Sequence, residues 1–200
     1  MAVQHEIPTV DVSPYLDPGA PESARNDVVA QVKSACEQYG FFQLVGHGIP
    51  IDLQRRALDC AKTFFALPQE QKDVLAMSNA MGNSKRGYER LGGQLLDKKP
   101  DLKEGFYIGK ELPADHPEAG QFLKGPNQWP DLPKNLLEEP IMEYREALVK
   151  LDTLLMQILA EGLDQPPEVM ESFTRDPVAN LKLLHYPPQI SKDKDQFGGE

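Results

Sequence analysis

Residues 39–50 read YGFFQLVGHGIP and form the clearest structural signal in the chain. A helical pattern ends at Gly40, and glycine tolerates the left-handed backbone that closes many helices. Residues 41–45 are β-favouring, and the glycines on either side of His47 mark a sharp turn. A short apolar run between two glycine signals is more typical of a covered strand than of another helix. The stretch therefore predicts a helix, a covered strand and a turn in immediate succession.

Helical patterns flank this stretch on both sides. Upstream, the apolar residues that share one helical stripe are Val28, Val29, Val32, Ala35, Cys36 and Tyr39. Downstream, within residues 51–66, the corresponding stripe is Leu53, Ala57, Leu58, Ala61, Phe64 and Phe65. Pro68 suits the start of a further short helix. Near the N-terminus, residues 7–12 predict an edge strand because Pro8 lacks an amide donor, with Val10 and Val12 on one face.

The second half of the chain predicts a loop, two strands and one long helix. Residues 79–93 are polar and glycine-rich, which indicates a long loop. Residues 101–109 predict a strand with Phe106 and Ile108 on one face and Tyr107 on the other. Trp129 is interpreted as a packing anchor in irregular, proline-rich sequence. A helical stripe from Ile141 to Gly162 predicts the longest element, and residues 167–173 predict a short helical piece.

The last predicted strand covers residues 180–187 and reads NLKLLHYP. Alternation places Leu181, Leu183 and His185 on one face and Lys182, Leu184 and Tyr186 on the other. Both faces carry apolar groups, so we expect the strand to be covered on both sides.

Composition restricts the classes of function. The 200 residues carry 31 acidic and 21 basic side chains, a net charge of −10, which disfavours nucleic acid as a partner. No stretch reaches the length of a membrane span and no secretory leader is visible, so a cytoplasmic protein is expected. Cys36 and Cys60 both fall on apolar helical stripes and are interpreted as reduced core thiols.

The histidines provide the candidate metal ligands. His47 in the turn is interpreted first as a structural residue and second as a site residue. His116 and Glu118 form a His-x-Glu pair that resembles part of a facial metal triad, but neighbouring prolines favour a surface loop. His5 lies in an N-terminus without structural signals. The sequence contains no nucleophile elbow, phosphate-binding glycine loop or Cys-x-x-Cys, and hence no complete catalytic constellation.

Six segments occur in the order seen in a known enzyme family. They are IPTVDVSPYL, YGFFQLVGHGIP, FFALPQEQK, RGYERL, DLKEGFYIG and LKLLHYPPQ. From Ile7 to Gln189 the chain resembles the non-haem iron(II), 2-oxoglutarate-dependent dioxygenases similar to isopenicillin N synthase. The HYPP sequence is more like fungal or bacterial members than plant members.

The resemblance implies an α+β fold in which N-terminal helices wrap an incomplete double-stranded β-helix, or jelly roll. Residues 1–125 would form the dioxygenase N-terminal region, and residues 126–200 the long helix and the first strands of the oxygenase domain. It also implies Fe(II), 2-oxoglutarate and a small organic substrate that is hydroxylated or desaturated.

The family's iron ligands, a His-x-Asp pair and a distant His, follow HYPP along the chain, as does the Arg-x-Ser that binds 2-oxoglutarate. We therefore assign no metal ligand and no catalytic residue within the 200 residues, and we expect the chain alone to be inactive.

The resemblance also suggests binding residues. Tyr186 matches the tyrosine whose hydroxyl approaches 2-oxoglutarate, and Leu184 stands where plant relatives have asparagine. Arg86, Tyr88 and Phe106 match segments that reach over the barrel mouth and select the substrate. The alternatives stay open: Tyr186 as a core phenol, Arg86 as part of a charged loop and Phe106 as a core aromatic residue.

A jelly roll has eight strands, and the sequence shows signals for about four. We therefore expect the strand at residues 180–187 to lack a partner along at least one edge, and the isolated chain to be unstable or dependent on another polypeptide. Two other functions remain open. One is a non-catalytic binding or complementing partner of another chain, and the other is an unrelated small α/β binding protein with a closed core.

Overall fold

The computed structural model describes residues 6–96 and 99–188. In chain order its helices and strands are β1 (Thr9–Asp11), α1 (Ser13–Leu16), α2 (Glu22–Gln38), β2 (Gln43–Val45), α3 (Ile51–Phe65), α4 (Gln69–Val74), β3 (Gly87–Glu89), β4 (Leu95–Leu96), β5 (Lys99–Pro100), β6 (Glu104–Ile108), α5 (Glu138–Gly162), α6 (Glu171–Thr174) and β7 (Leu181–His185). Single 3₁₀ turns lie at Met77–Asn79, Lys134–Leu136 and Pro167–Met170. The fold is thus a mixture of helices and short strands, as the sequence predicted.

The chain divides into two compact units. Of the described residues, the first contains 6–51 and 146–177, and the second contains 52–96, 99–145 and 178–188. Helix α5 contributes to both units, because its first turns belong to the second unit and the rest to the first. The predicted domain boundary between residues 125 and 126 stays a prediction.

In the first unit, strands β1 and β2 pair in parallel, with Val10 opposite Leu44. Val10 and Val12 are buried, which confirms the predicted facing of β1. They form a core with side chains from α2 and α5; its buried members are Val10, Val12, Val28, Val32 and Ile158.

Helix α2 ends as the glycine signal predicted. Gly40 has a φ of +78°, in the left-handed region, and its amide donates to the carbonyls of Ala35 and Cys36 at 3.1 and 3.2 Å. Because an L side chain is strained at this φ, glycine suits this position.

Two expectations about this unit are wrong. Cys36 is exposed, because the stripe that α2 buries is Val28, Val32 and Ala35, and the position after Ala35 points about 100° away from it. Strand β2 is not a covered strand: Phe41 is 57% exposed, and both Gln43 and Val45 are exposed. Within the described residues β2 pairs only with β1.

The second unit contains an antiparallel sheet in the order β3–β6–β7. The register places Tyr88 opposite Phe106 and Phe106 opposite Leu183. These side chains pack against α3, where the ring of Phe64 stacks on that of Phe106 with 4.0 Å between centroids. Trp129 contacts Phe106 edge to face, which confirms its role as a packing anchor.

Helix α3 follows its predicted stripe with one exception. Cys60 is buried, as expected, and its thiol donates to the carbonyl of Leu136 at 3.4 Å. Leu58 is 64% exposed. Its neighbour Ala57 is on the buried stripe, and the next residue of a helix points about 100° away from it.

The predicted loop at residues 79–93 contains strand β3, so that prediction is wrong for residues 87–89. Gly87 has a φ of +106°, and a Cβ there would lie 2.2 Å from the carbonyl oxygen of Leu75 and 2.3 Å from the amide nitrogen of Gln128. The next amide, that of Tyr88, donates to the same Leu75 carbonyl at 2.7 Å. Glycine at position 87 therefore permits close backbone approach within a strand.

Helix α5 confirms the predicted long helix; it begins at Glu138, after Pro133 and three residues before the predicted stripe. Ile141 is fully buried in the core of the second unit. At 1.5 Å per residue the 25 residues extend about 37 Å.

Strand β7 was correctly predicted, but its cover was not. Leu183 is 9% exposed, whereas Leu184 is 42% exposed, so the described residues cover one face only. Strand β7 pairs with β6 alone in the described part of the chain, which agrees with the expected unpaired edge. The described residues form seven short strands instead of about four, in three small open sheets.

Candidate functional site

The two faces of the β3–β6–β7 sheet carry different chemistry. One face, here called the core face, carries Tyr88, Phe106 and Leu183. The opposite face, here called the open face, carries Glu89, Tyr107, Lys182 and Leu184. Each face has its own cluster of polar side chains.

The polar cluster of the open face centres on Tyr107. The Tyr107 hydroxyl donates to Glu89 Oε2 at 2.9 Å and accepts from Gln94 Nε2 at 2.9 Å. Burial, and then the hydrogen bond to the Glu89 carboxylate, raise the pKa of Tyr107 well above its usual value. The phenol therefore stays protonated and holds the Glu89 carboxylate in place.

Lys182 lies beside this pair. Its Nζ is 4.3 Å from the centroid of the Tyr107 ring and 4.0 Å from Glu89 Oε2. The side chain is 30% exposed, and its partial burial lowers the pKa of the ammonium group. A cation over a tyrosine ring is a favourable arrangement that leaves the N–H donors available.

Tyr186 follows β7 on the side of the open face. It is 50% exposed, and its hydroxyl makes no hydrogen bond to the described residues. Leu184, two residues earlier and on the same face by alternation, is also exposed. Tyr186 is thus a half-exposed phenol and not a core residue in this chain, which leaves its hydroxyl accessible to a ligand.

The core face carries a buried carboxylate with three partners. Glu104 Oε2 accepts from Lys72 Nζ at 2.8 Å and from the Tyr88 hydroxyl at 2.5 Å. Glu104 Oε1 lies 2.8 Å from His185 Nδ1. The side chains of Lys72 and Glu104 are 7% and 8% exposed. We call these four residues the Glu104 cluster.

The pKa values in the Glu104 cluster follow from its contacts. Burial alone would raise the pKa of Glu104, but hydrogen bonds from His185, Lys72 and Tyr88 outweigh it and lower this pKa. Burial and the Glu104 carboxylate together raise the pKa of Tyr88 to about 12. The cluster therefore holds an ionised carboxylate and a neutral phenol near neutral pH.

A cavity of about 280 Å³ adjoins the Glu104 cluster. Its lining residues are Gln69, Lys72, Tyr88, Arg90, Leu91, Glu104 and Pro187. Its cations are paired, since Arg90 donates to Asp73 and Lys72 donates to Glu104. Both cations that line the cavity therefore already have a carboxylate partner, Lys72 inside the lining and Arg90 outside it.

The predicted substrate residues lie away from the open face. Arg86, Tyr88 and Phe106 are 1%, 2% and 0% exposed. Arg86 Nη1 donates to Asn180 Oδ1 at 2.6 Å, and its Nη2 donates to the Leu123 carbonyl at 2.6 Å. The structure therefore groups the three residues with the core and separates them from Tyr186.

The other histidines make local contacts. His47 Nδ1 accepts from the amide of Ile49 at 3.1 Å, and His116 Nδ1 accepts from the amide of Glu118 at 3.2 Å. His5 lies outside the described residues. Both described rings close a turn by binding a backbone amide, which supports the structural interpretation of His47.

The donor set for iron does not fit within the described chain. Across residues 6–96 and 99–188, no three His, Cys, Asp or Glu side chains converge as a metal site. His185, the histidine of HYPP, directs Nδ1 to Glu104. A facial triad requires three ligands held together, so no step is derived through iron bound by these residues.

Sequence reasoning did not find the Glu104 cluster or the Glu89–Tyr107–Lys182 group. Alternation had placed Lys182 on the same face as Tyr186, and that was the available signal for the second group. The Glu104 cluster depends on the strand register that sets Glu104 opposite His185, two residues that lie 81 positions apart in the sequence. No local pattern specifies that register.

Comparison with known proteins identifies the class. A profile of the family described as "non-haem dioxygenase in morphine synthesis N-terminal" matches residues 7–132. Because this match covers more than half of the chain, the protein belongs to that family.

Individual proteins similar to this chain support the same family assignment. 2-Oxoglutarate-dependent dioxygenase tropC of Talaromyces stipitatus is 42% identical over 199 residues, covering 96% of this chain and 61% of the relative. A solved 2OG-Fe(II) oxygenase family protein of Caulobacter crescentus has a TM-score of 0.76 at 26% identity, covering 95% and 59%. A full-length Neurospora crassa protein, solved in complex with alpha-KG and 5-formyluracil, has a TM-score of 0.73 at 25% identity, covering 90% and 52%.

The chain therefore spans about 61% of the length of the first of these relatives and corresponds to their N-terminal part. The likeness confirms the predicted resemblance and contradicts the hypothesis of an unrelated small binding protein. Within the described residues, no helix is both long and apolar enough to cross a membrane.

Proposed function

We propose that the protein acts as an Fe(II)- and 2-oxoglutarate-dependent oxygenase that hydroxylates or desaturates a small organic substrate. The family match over residues 7–132 carries this proposal. The names of the relatives support the cosubstrate, since tropC is named for 2-oxoglutarate dependence and the Neurospora crassa protein was solved with alpha-KG. The net charge of −10 supports a small molecule over a nucleic acid, and a cytoplasmic location is part of the proposal.

In this proposal the described chain supplies the open face as one wall of the reaction site. Tyr186 donates its hydroxyl to 2-oxoglutarate, which its 50% exposure and the absence of a hydrogen bond from it to the described residues support. The cofactors supply the oxidising chemistry when bound; these residues bind and orient small molecules. The substrate role of Arg86, Tyr88 and Phe106 stays a prediction, and their burial favours a contribution through the shape of the sheet.

The complete gene product tests the proposal. Supplied with Fe(II), 2-oxoglutarate and oxygen, it should form succinate, and chelation of the iron should abolish this. A Tyr186→Phe variant should raise the KM for 2-oxoglutarate about tenfold, since a hydrogen bond to a charged group is lost. Tyr39→Phe, in the other unit, serves as the matched control and should leave that KM unchanged.

A different function, a non-catalytic complementing partner, is favoured by the unpaired edge of β7 and the exposed Leu184 beside it. It predicts a gene product that forms no succinate under any of these conditions and binds another polypeptide.

A further inference from the structure

We propose that His185 is a positioning residue: its hydrogen bond to Glu104 on the core face fixes the end of β7 and thereby the place of Tyr186 on the opposite side of the sheet. This inference rests on the proposed function, in which Tyr186 binds 2-oxoglutarate, and adds to it a residue that acts from behind the sheet. It is carried by the strand register, by the other partners of Glu104, and by the cavity next to Pro187.

Glu104 and His185 form the last pair between β6 and β7. The register runs from Ile108 opposite Leu181 to Glu104 opposite His185, and β7 ends at that pair. Tyr186 follows directly and lies outside the strand. In the described part of the chain the other edge of β7 has no partner strand. The pair is therefore the last one in which the sheet holds the chain before Tyr186.

The side chains of this pair are joined to three other elements. Glu104 Oε2 accepts from Lys72 Nζ at 2.8 Å and from the Tyr88 hydroxyl at 2.5 Å, and Oε1 lies 2.8 Å from His185 Nδ1. The pKa of Glu104 is lowered, so the carboxylate is ionised near neutral pH and can only accept, which places the proton on Nδ1. Lys72 also donates to the Phe65 carbonyl at 3.3 Å. His185 is thus tied through Glu104 to α4, to β3 and to the end of α3.

Open space lies beside the residue that follows Tyr186. Pro187 lines the cavity of about 280 Å³ that adjoins the Glu104 cluster, so on that side it borders space instead of a packed side chain. Besides the bond to Glu104, the His185 ring contacts the Phe65 ring, with 5.3 Å between centroids. Without the hydrogen bond, the end of β7 has room to move toward the cavity and to carry Tyr186 with it.

A comparison along β7 shows why a hydrogen bond is needed at its end. Leu183, on the same face, is buried in the core of the second unit. The His185 side chain is 41% exposed. Burial therefore fixes Leu183, whereas His185 depends on its partner. Substitution elsewhere on the core face changes packing, and substitution at His185 removes a directional bond next to Tyr186.

Two variants of the complete gene product separate the hydrogen bond from the packing. His185→Leu removes the donor and keeps an apolar side chain beside Phe65. His185→Asn keeps a donor, because its amide nitrogen is as many bonds from the backbone as Nδ1. Hydrogen exchange over residues 181–186 should be at least about tenfold faster in His185→Leu, since local opening becomes easier, and close to wild type in His185→Asn. Exchange in α5 should be the same in all three proteins, which would establish that the change is local.

Binding of 2-oxoglutarate is the second measurement. Calorimetry on the complete gene product, with Fe(II) and without oxygen, should give a Kd about tenfold higher for His185→Leu, because affinity falls with the fraction of molecules that hold the tyrosine in place. His185→Asn should restore most of the affinity. His116→Leu is the matched control: it makes the same substitution at a ring that closes a distant turn, and it should change neither the Kd nor the exchange over residues 181–186.

Three results would overturn the inference. The first is wild-type exchange over residues 181–186 in His185→Leu, and the second is faster exchange there with an unchanged Kd for 2-oxoglutarate. The third is a His185→Asn protein as impaired as His185→Leu, which would assign the role to the packing of the ring. A wild-type protein that neither binds 2-oxoglutarate nor forms succinate would reject the proposed function, and the exchange measurement would then decide alone whether His185 fixes the end of β7.

Discussion

The core face and the open face belong to the same three strands, yet their charged side chains differ in how many hydrogen-bonding partners they have. On the core face, Glu104 has hydrogen-bonding partners at both carboxylate oxygens. On the open face, the Lys182 ammonium has donors without acceptors in the described chain. An unpaired polar group that is buried lowers the stability of the fold. A half-exposed polar group can hydrogen-bond to water and therefore needs no protein partner. The difference separates residues that hold the sheet together from residues available for binding.

This separation changes the interpretation of the four residues first associated with binding. Tyr88 and Phe106 belong to the core face, and Arg86 donates hydrogen bonds to the Asn180 side chain and to the Leu123 carbonyl. Tyr186 belongs to the side with unused hydrogen-bonding capacity. Substitutions on the core face should therefore act through stability, and substitutions on the open face through ligand binding.

The largest expected effect is on the core face. Phe106→Ala should lower the free energy of unfolding by about 3–5 kcal/mol, because the ring is fully buried between Phe64 and Trp129. Phe122→Ala makes the same truncation at a side chain that is 63% exposed and should cost less than about 1 kcal/mol. Denaturant unfolding of the purified complete gene product measures both. A cost at Phe106 no greater than at Phe122 would show that the sheet is not packed as described.

Two adjacent leucines on β7 provide a sharper comparison. Leu183→Ala removes a side chain that is 9% exposed and should cost about 2–4 kcal/mol. Leu184→Ala changes the neighbouring residue on the open face, 42% exposed, and should cost about 0.5 kcal/mol. Unfolding curves in the same denaturant give both values. Equal costs would mean that both faces of β7 are covered, as the sequence first suggested.

The outcome for β7 illustrates what the sequence could predict. Period-two alternation correctly assigned Leu183 and Leu184 to opposite faces, because the rule depends only on local strand geometry. It could not tell whether the Leu184 face is covered, since cover depends on segments distant in the chain. The same limit applies to β2, where apolar residues suggested cover and Val45 is exposed.

The site was predictable only where one segment contained it. Tyr186 was proposed because the HYPP segment resembles the family's, and its cosubstrate role stays a prediction; alternation placed Lys182 on the same face. The Glu104 cluster draws on α4, β3, β6 and β7, so only the strand register brings its members together. Strand β3 was missed because polar, glycine-rich sequence is typical of loops, although Gly87 there permits close contact with the Leu75 carbonyl.

A third comparison concerns the charge of Glu104. Its pKa is lowered in the folded chain from the ordinary 4.5, so the unfolded state binds more protons over the range in which Glu104 titrates. The stability from this group is therefore complete above about pH 4.5 and is lost as the pH falls through the lowered pKa.

Glu104→Gln should lower the free energy of unfolding at pH 7 by about 2 kcal/mol, because Lys72 and His185 would lose a charged acceptor. It should also flatten the fall in stability below about pH 4.5, since glutamine does not titrate there. Urea unfolding at a series of pH values from about 7 to about 3 measures both effects. Glu70→Gln makes the same change at an exposed side chain of α4 and should leave the wild-type slope intact. An unchanged acid slope in Glu104→Gln would mean that the carboxylate is not held by its three partners, and the contrast between the two faces would then rest on apolar packing alone.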